Sequence, residues 1–307
     1  KNDHHGVEFA GLTPEEMTKK YNELSDFPWI SQLFSRDFAD HPEYRLDPES
    51  TVRTDRIWNW KLKEVRDYKL AMIAEICDNY DIDGFELDFM RYPVYFRPNE
   101  TTSEERVSIM TEFIEDVRAL LDSSAKPGQR RWLMARVPSQ LGVYEPMGLD
   151  LTRVVEAGVD ILNVSSYFYS SQDTDLAAIR ASVPPWTSVI YEMTHSASIG
   201  QKLLDNYDGY QFRRTTDEAF FTTAHLAYSQ GADGISTFNL VYYRKHQGEF
   251  AEIKGPYTEP PFHIYNVLRD PVRLAQLPQY YFLGTVNRIS ATRRQLPRSI
   301  SRGQRQQ

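Results

Sequence analysis

Short apolar segments alternate with amphipathic segments at a regular pitch between residues 132 and 239. Their periodicity predicts strands at 132–137, 160–167, 187–193 and 233–239, and helices at 151–157, 176–183 and 217–230. Strands that alternate with helices in this way form parallel sheets, because each helix serves as the crossover between two neighbouring strands. The chain is therefore expected to fold as an α/β protein around one parallel sheet.

A fifth strand precedes this series and carries two acids. Residues 80–93 read Tyr-Asp-Ile-Asp-Gly-Phe-Glu-Leu-Asp-Phe-Met-Arg-Tyr-Pro, in which large apolar residues alternate with Glu86 and Asp88. Period-two alternation places both carboxylates on one face of the strand, opposite the face that helices cover. Pro93 ends the strand, so Asp88 lies near its carboxyl end, where α/β barrels have their active sites. The alternative is a structural ion pair of these acids with Arg91 or another arginine.

Helices are predicted on both sides of the acidic strand. Apolar residues at helical spacing predict a helix over 62–79, and a capping box at Thr102–Glu105 begins another that runs to about Ser123. A further capping box at Thr13–Glu16 predicts an N-terminal helix. The irregular, aromatic-rich stretch between that helix and residue 60 is either one wall of a cleft or a surface excursion.

Eight strands are needed to close a parallel barrel, and the sequence supplies five clear strands and a strand end in residues 1–6. The predicted fold is a (β/α)8 TIM barrel that lacks one or two N-terminal βα units. A doubly wound open sheet is the alternative, but no glycine-rich phosphate loop follows any strand. The barrel domain is expected to cover residues 1–250. A closing segment or the start of a β domain is expected at 251–287, and a basic disordered tail at 288–307.

Composition excludes several classes of protein. The net charge is -8, which argues against a nucleic-acid partner, and the longest apolar runs are too short to span a membrane. The one cysteine, Cys77, falls on a predicted helix as a core residue and permits no intramolecular disulfide. Nineteen tyrosines suit stacking on sugar rings. We expect no cofactor, and the oligomeric state is open.

The first residues combine an amide, an acid and two histidines. Asn2, Asp3 and His4 are expected to bind sugar hydroxyls. A metal site is the alternative, although neighbouring histidines point to opposite sides of an extended chain, so only one of His4 and His5 joins Asp3 easily.

Several motifs resemble those of the family-ten-like glycosyl hydrolases, which are bacterial barrel proteins. Residues Glu64–Tyr68, Tyr80–Asp88 and Tyr92–Pro93 resemble the signature "PEVRDY … YDVDGIHLDxxxYP" of that family. His41–Tyr44 resembles its "HPEW" element, and Asn2–His4 resembles the "MND-H" loop of a related polysaccharide-locus subgroup. The resemblance covers most of the first 240 residues.

The resemblance implies a (β/α)8 barrel that acts on a glycan, with Asp88 as the acid at the end of the strand. It also implies a periplasmic or extracellular location and a role in polysaccharide degradation. The same strand is similar to the chitinase-type "DGxDxDxE" strand, with Asp83, Glu86 and Asp88 in register. Met90 stands where that family has its catalytic glutamate, so the chitinase-type mechanism is not expected.

Glycoside hydrolysis needs two carboxyl groups that flank the bond to be cleaved. Asp88 is the first candidate, and Glu192 at the end of a later strand is its expected partner across the barrel mouth. Glu86 lies one pleat deeper and is expected to act with them, for instance by raising the pKa of Asp88. Glu145 is a third choice for the partner. The alternative for Glu192 is a structural pair with Arg136.

Further polar residues fall at strand ends and are expected to bind substrate: Arg91, Arg136, Tyr167, His195 and Asn239. Arginines at the mouth favour an anionic or sulfated glycan, because the guanidinium fork matches carboxylate and sulfate.

Two other functions remain open from the sequence. The first is a barrel that binds a glycan without cleaving it, which predicts no second carboxyl within about 10 Å of Asp88. The second is a metal-dependent hydrolase or lyase that uses Asp3, His4 or His5 together with His195, which predicts loss of activity on chelation.

Overall fold

The computed structural model describes residues 16, 40–47, 57–90, 93–97, 99–166, 170–197, 213–240 and 259–282. The predicted helix at Thr13–Glu16, apart from Glu16 itself, and the basic tail lie outside these residues.

Five parallel strands form the main sheet. They are β1 (Gly84–Asp88), β2 (Trp132–Pro138), β3 (Ile161–Ser165), β4 (Ser188–Thr194) and β7 (Gly234–Phe238). Between β4 and β7, β5 (Ser196–Ala197) and β6 (Arg213–Arg214) form a small antiparallel pair. The strand order in the sheet is β1-β2-β3-β4-β7, which follows the chain without a reversal. A doubly wound sheet reverses its order at a switch point, so this sheet is part of a (β/α) barrel.

The helices follow the strands as the periodicity predicted. They are α1 (Lys63–Asn79), α2 (Ser103–Ser123), α3 (Tyr144–Met147), α4 (Leu151–Glu156), α5 (Leu176–Ala181), α6 (Asp217–Ser229), α7 (Tyr265–Leu268) and α8 (Pro271–Leu274). The capping box of α2 is confirmed, because the Thr102 hydroxyl accepts from the Glu105 backbone N–H and the Glu105 carboxylate accepts from the Thr102 N–H. None of the described helices has the length and hydropathy that a membrane span requires.

The core lies between the sheet and the helices that cover its outer face. On β1 and β2 the outward side chains Leu87, Leu133 and Val137 are buried, and they belong to the same apolar cluster as Phe113 of α2. Cys77 of α1 is also buried in this cluster, which confirms it as a core residue. Burial of the outer face leaves the opposite face of each strand for polar residues.

Two aspartates fix the amino ends of the strands. Asp160, just before β3, accepts a hydrogen bond from the Leu133 backbone N–H at 2.9 Å, and Asp233, just before β7, accepts one from the Val189 N–H at 2.8 Å. Arginines pair with both carboxylates: Arg118 and Arg130 with Asp160, and Arg180 with Asp233. Charged groups at this end of the barrel therefore stabilise the strands, which leaves the carboxyl ends for function.

Residues 259–282 pack on α6. The Tyr228 hydroxyl donates to the Leu268 carbonyl at 3.0 Å, and the Thr222 hydroxyl accepts from the Tyr280 N–H at 2.7 Å. The domain boundaries predicted from the sequence remain predictions.

Gly84 begins β1 because no larger residue fits there. A Cβ atom at this position would lie 2.4 Å from the backbone oxygen of Trp132 on β2. We expect Gly84→Ala to lower the free energy of unfolding by about 1–3 kcal/mol, since β1 must move away from β2. Gly142→Ala is the matched control, because a Cβ there meets nothing within 4 Å. Urea denaturation of both variants measures the difference, and equal stabilities would contradict the close approach.

Candidate active site

Polar side chains converge on the inner face of the five-stranded sheet. Strand register sets Asp88 beside Arg136, and Ser165 beside Glu192. The hydrogen-bonded group, called the polar core below, consists of Glu86, Asp88, Arg136, Asn163, Ser165, Glu192 and Ser236. All five strands of the main sheet contribute at least one residue to it. The geometry of the polar core therefore depends on the register of the whole sheet.

Arg136 is the centre of the polar core. Its Nε lies 3.0 Å from both oxygens of Glu192, and its Nη2 lies 2.6 Å from Oε1 of the same residue. Nη1 donates to Oδ1 of Asp88 at 3.0 Å, and Nη2 also donates to the Ser165 hydroxyl at 3.1 Å. The guanidinium stacks 4.4 Å from the ring centroid of Phe238. All three guanidinium nitrogens are therefore occupied inside the protein.

The two carboxylates keep this arginine charged. Burial alone lowers the pKa of Arg136, but Glu192 and Asp88 raise it, and their combined effect leaves the pKa above its ordinary value. Arg136 is 3% exposed, so its charge interacts with both acids in a poorly solvated setting.

Glu192 is held by donors on both of its oxygens. In addition to Arg136, the Ser165 hydroxyl donates to Oε1 at 2.7 Å and the Asn163 amide donates to Oε2 at 3.2 Å. The side chain is 5% exposed. The structural pair of Glu192 with Arg136, which the sequence left as an alternative, is confirmed. The catalytic role predicted for Glu192 stays a prediction.

Asp88 is anchored through one oxygen. Oδ1 accepts from Arg136 and from the Met90 backbone N–H at 2.9 Å, while no described residue donates to Oδ2. Its ion pair with an arginine, an alternative in the sequence, is confirmed, and the partner is Arg136. The side chain is 24% exposed, so Asp88 offers an accessible oxygen from a fixed position.

Glu86 is more exposed and more lightly bound than the other two acids, although protein surrounds part of its carboxyl group. Its Oε1 accepts from Asn163 at 2.9 Å, and it has no cationic partner among the described residues within ion-pair distance. Partial burial raises the pKa of Glu86, and the charges of Glu192 and Asp88 raise it further, against the hydrogen bond of Asn163 and the charge of Arg136.

A cavity of about 280 Å³ lies between β1 and α1. Glu86 and Asp88 are among the residues that line it, together with Leu87 of the outer face and the core rings of Trp60 and Phe113. No other member of the polar core lines this cavity, so it lies on the apolar side of β1.

Two other predicted site residues, His195 and Asn239, are described by the structure. His195 is 1% exposed, and burial and the charge of Arg214 hold its pKa well below the ordinary value. A buried histidine beside a cation is poorly placed to contact a substrate or a metal ion. Asn239 follows β7 in the left-handed conformation with φ 56° and is partly exposed, so it marks the end of the strand.

Glu145 is separate from the polar core. It lies exposed on α3, where the Ser103 hydroxyl and Arg106 bind it, and these two contacts lower its pKa. Residues Asn2, Asp3, His4, His5, Arg91 and Tyr167, all predicted for the site, lie outside the described residues.

Three members of the polar core, Asn163, Ser165 and Ser236, were missed in the sequence. On β3 the alternation of Leu162 and Val164 with Asn163 and Ser165 is the signal that points both polar residues inward. Within the described part of the chain, no cluster of three histidine, cysteine or acidic side chains has a metal-binding arrangement.

The sequence matches no family model and no curated protein. The resemblance to family-ten-like glycosyl hydrolases therefore stays a prediction.

Several solved structures are similar in chain path. One is a glycoside hydrolase family 18 N-acetylglucosaminidase from Paenibacillus barengoltzii, with a TM-score of 0.41, 10% identity, and coverage of 58% of this chain and 72% of that one. A class V chitinase from Pseudomonas fluorescens Pf-5 has a TM-score of 0.41 and 14% identity, over 58% of this chain and 68% of that one. Catalytic domain 2 of the Group II chitinase from Ostrinia furnacalis has a TM-score of 0.42 and 11% identity, over 59% and 66%.

Removal of the Arg136 charge should destabilise the folded protein. Arg136→Met leaves Glu192 and Asp88 without their shared partner, so we expect the free energy of unfolding to fall by about 3–5 kcal/mol. The double variant R136M/E192M replaces a buried ion pair with apolar side chains and should recover much of this loss. Urea denaturation measures both effects, and a single variant as stable as the wild type would contradict the central role of Arg136.

Glu86→Gln should change how stability depends on pH. Because the folded protein raises the pKa of Glu86, its contribution to stability is full below the unfolded pKa of about 4.3 and is lost as the pH rises through the folded pKa. Glutamine has no proton to lose and keeps an acceptor for Asn163. The melting temperature of E86Q relative to wild type should therefore rise from pH 4 to about pH 8. A relative melting temperature that falls over this range would contradict the raised pKa.

Proposed function

We propose that this protein is a glycoside hydrolase in which Glu86 and Asp88 carry the chemistry. The observation that carries the proposal is the contrast between these two acids, which lie two residues apart on the same face of β1. Partial burial and the nearby charges of Glu192 and Asp88 raise the pKa of Glu86, whereas Asp88 is anchored through one oxygen by Arg136 and the Met90 N–H. Neighbouring acids in unequal environments are typical of acid–base pairs.

The roles follow from the two environments. Protonated Glu86 acts as the general acid and gives its proton to the glycosidic oxygen as the bond from that oxygen to the anomeric carbon breaks. Asp88, through Oδ2, either takes a proton from the water that attacks the anomeric carbon or attacks that carbon itself. Glu192 and Arg136 do not touch the substrate; they hold Asp88 in place.

A glycan as the substrate is supported by the motif resemblance at residues 80–93. The charge of the substrate is a revision of the sequence expectation. Because the nitrogens of Arg136 bind Glu192, Asp88 and Ser165, this arginine has little capacity left for a carboxylate or sulfate. We therefore propose a neutral glycan rather than an anionic one. A periplasmic or extracellular location stays a prediction.

A carbohydrate-binding barrel without activity is the second candidate. The observation in its favour is that Arg136 ties down two of the three acids. Against it, that candidate predicts no second carboxyl near Asp88, whereas Glu192 binds the same guanidinium and Glu86 lies two residues away on the same face. The metal-dependent alternative loses support, because His195 is buried beside Arg214.

The test is hydrolysis of a panel of neutral and acidic polysaccharides, followed by the release of reducing ends. We expect activity on a neutral glycan, and we expect E86Q and D88N each to lower kcat by about 10²–10⁴-fold. Activity should also fall as the pH rises through the raised pKa of Glu86, since the acid loses its proton. Glu64→Gln, an exposed change on α1, is the matched control and should keep full activity.

Two results would contradict the proposal. Glycan binding by calorimetry without hydrolysis of any polysaccharide would favour the binding barrel. Activity that is lost on chelation and survives in both E86Q and D88N would favour the metal-dependent alternative.

A further inference from the structure

Asn163 connects acids that lie on different strands. Its Nδ2 donates to Oε1 of Glu86 on β1 at 2.9 Å and to Oε2 of Glu192 on β4 at 3.2 Å. The side chain is buried, with 4% of the residue exposed. An amide nitrogen has two hydrogens, so these two carboxylates use its whole donor capacity.

The two carboxylates set the direction in which this amide points, because an N–H can donate to both of them and the amide oxygen cannot. A reversed amide would place its oxygen against two carboxylates, where like partial charges repel. In the observed orientation the Ser236 hydroxyl of β7 donates to Oδ1 of Asn163 at 2.9 Å and helps to hold the amide in place.

This orientation decides where Glu86 carries its proton. Because Oε1 of Glu86 accepts a hydrogen from Asn163, the proton of the neutral acid belongs on Oε2. No described residue binds Oε2, so the proton lies on the oxygen that is available to a ligand. A reversed amide would instead draw the proton inward to bond with Oδ1.

We propose that Asn163 is a positioning residue that, with its amide fixed by Ser236, keeps the Glu86 proton on Oε2. The inference rests on the proposed function, because it concerns the acid of that reaction. Asn163 touches neither the substrate nor the bond that breaks, and it acts only through Glu86 and Glu192. The hydrogen bond from Asn163 also lowers the pKa of Glu86, since a donor to the carboxylate stabilises the ionised form.

Other charged groups also face Glu86. Asp88 lies on the same strand, Arg136 projects from β2, and Glu192 projects from β4. Variants at Asn163 and Ser236 leave all three in place, so they isolate the contribution of the amide.

Titration of Glu86 by NMR tests the proposal without any need for activity. Protein with ¹³C-labelled glutamate carboxyls is titrated, and E86Q assigns the Glu86 signal. Asn163→Ala should raise the titration midpoint of Glu86, because the donor to its carboxylate is lost. Ser236→Ala should raise it less, since the amide is freed but not removed. Ser236→Thr keeps the hydroxyl and should titrate like wild type.

Measurements of kcat, KM and the pH profile distinguish a positioning role of Asn163 from a merely structural one. We expect N163A to lower kcat by about a hundredfold with little change in KM, and to move the alkaline limb of the pH profile upward. S236A should show the same changes at a smaller size, and S236T should restore wild-type behaviour. If N163A fails to fold, the S236A and S236T pair decides the question.

The outcomes for the two proposals are distinguishable. An unchanged Glu86 midpoint in both N163A and S236A, or an S236T variant that behaves like S236A, would overturn the role of Asn163. Full hydrolytic activity in E86Q would overturn the proposed function, whatever the titration shows.

Discussion

The structure depends on one arginine that is shared by two acids. Without Arg136, the inner face of the sheet would place Asp88, Glu192 and Glu86 close together with no opposing charge, and burial of like charges is among the most expensive arrangements in a protein. With Arg136 in place, Glu192 is nearly removed from solvent and Asp88 is anchored at one oxygen. The stacking of the guanidinium on Phe238 ties β7 to the same group, so a single cation links strands from one end of the sheet to the other.

The same arginine makes the three acids unequal. Among the described residues, Glu192 receives donors on both oxygens, Asp88 on one, and Glu86 the amide of Asn163 alone. Glu86, which has the fewest hydrogen-bond donors and no ion pair among the described residues, is the acid whose pKa is raised. The three acids thus differ in their surroundings although they belong to one cluster, because one arginine faces three carboxylates.

More of the architecture than of the polar core could be predicted from the sequence. The parallel order of strands and helices follows from periodicities of 2 and 3.6 residues, which are local, and the structure has strands or helices at each of the places predicted between residues 62 and 239. Alternation also predicts that Glu86 and Asp88 share one face. The pairing of Arg136 with Glu192 was one of two alternatives, because alternation indicates which way a side chain points but not which partner it meets.

The sequence by itself determined the class of fold, the acidic strand and the inward direction of its carboxylates, since each depends on residues within a few positions of one another. Only the tertiary structure decided that Arg136 holds two acids, that Asn163 and Ser236 belong with them, and that His195 is buried. These contacts join residues on different strands, and their geometry depends on the stagger between neighbouring strands. Strand register is set by the packing of the whole sheet against its helices, which no local pattern encodes.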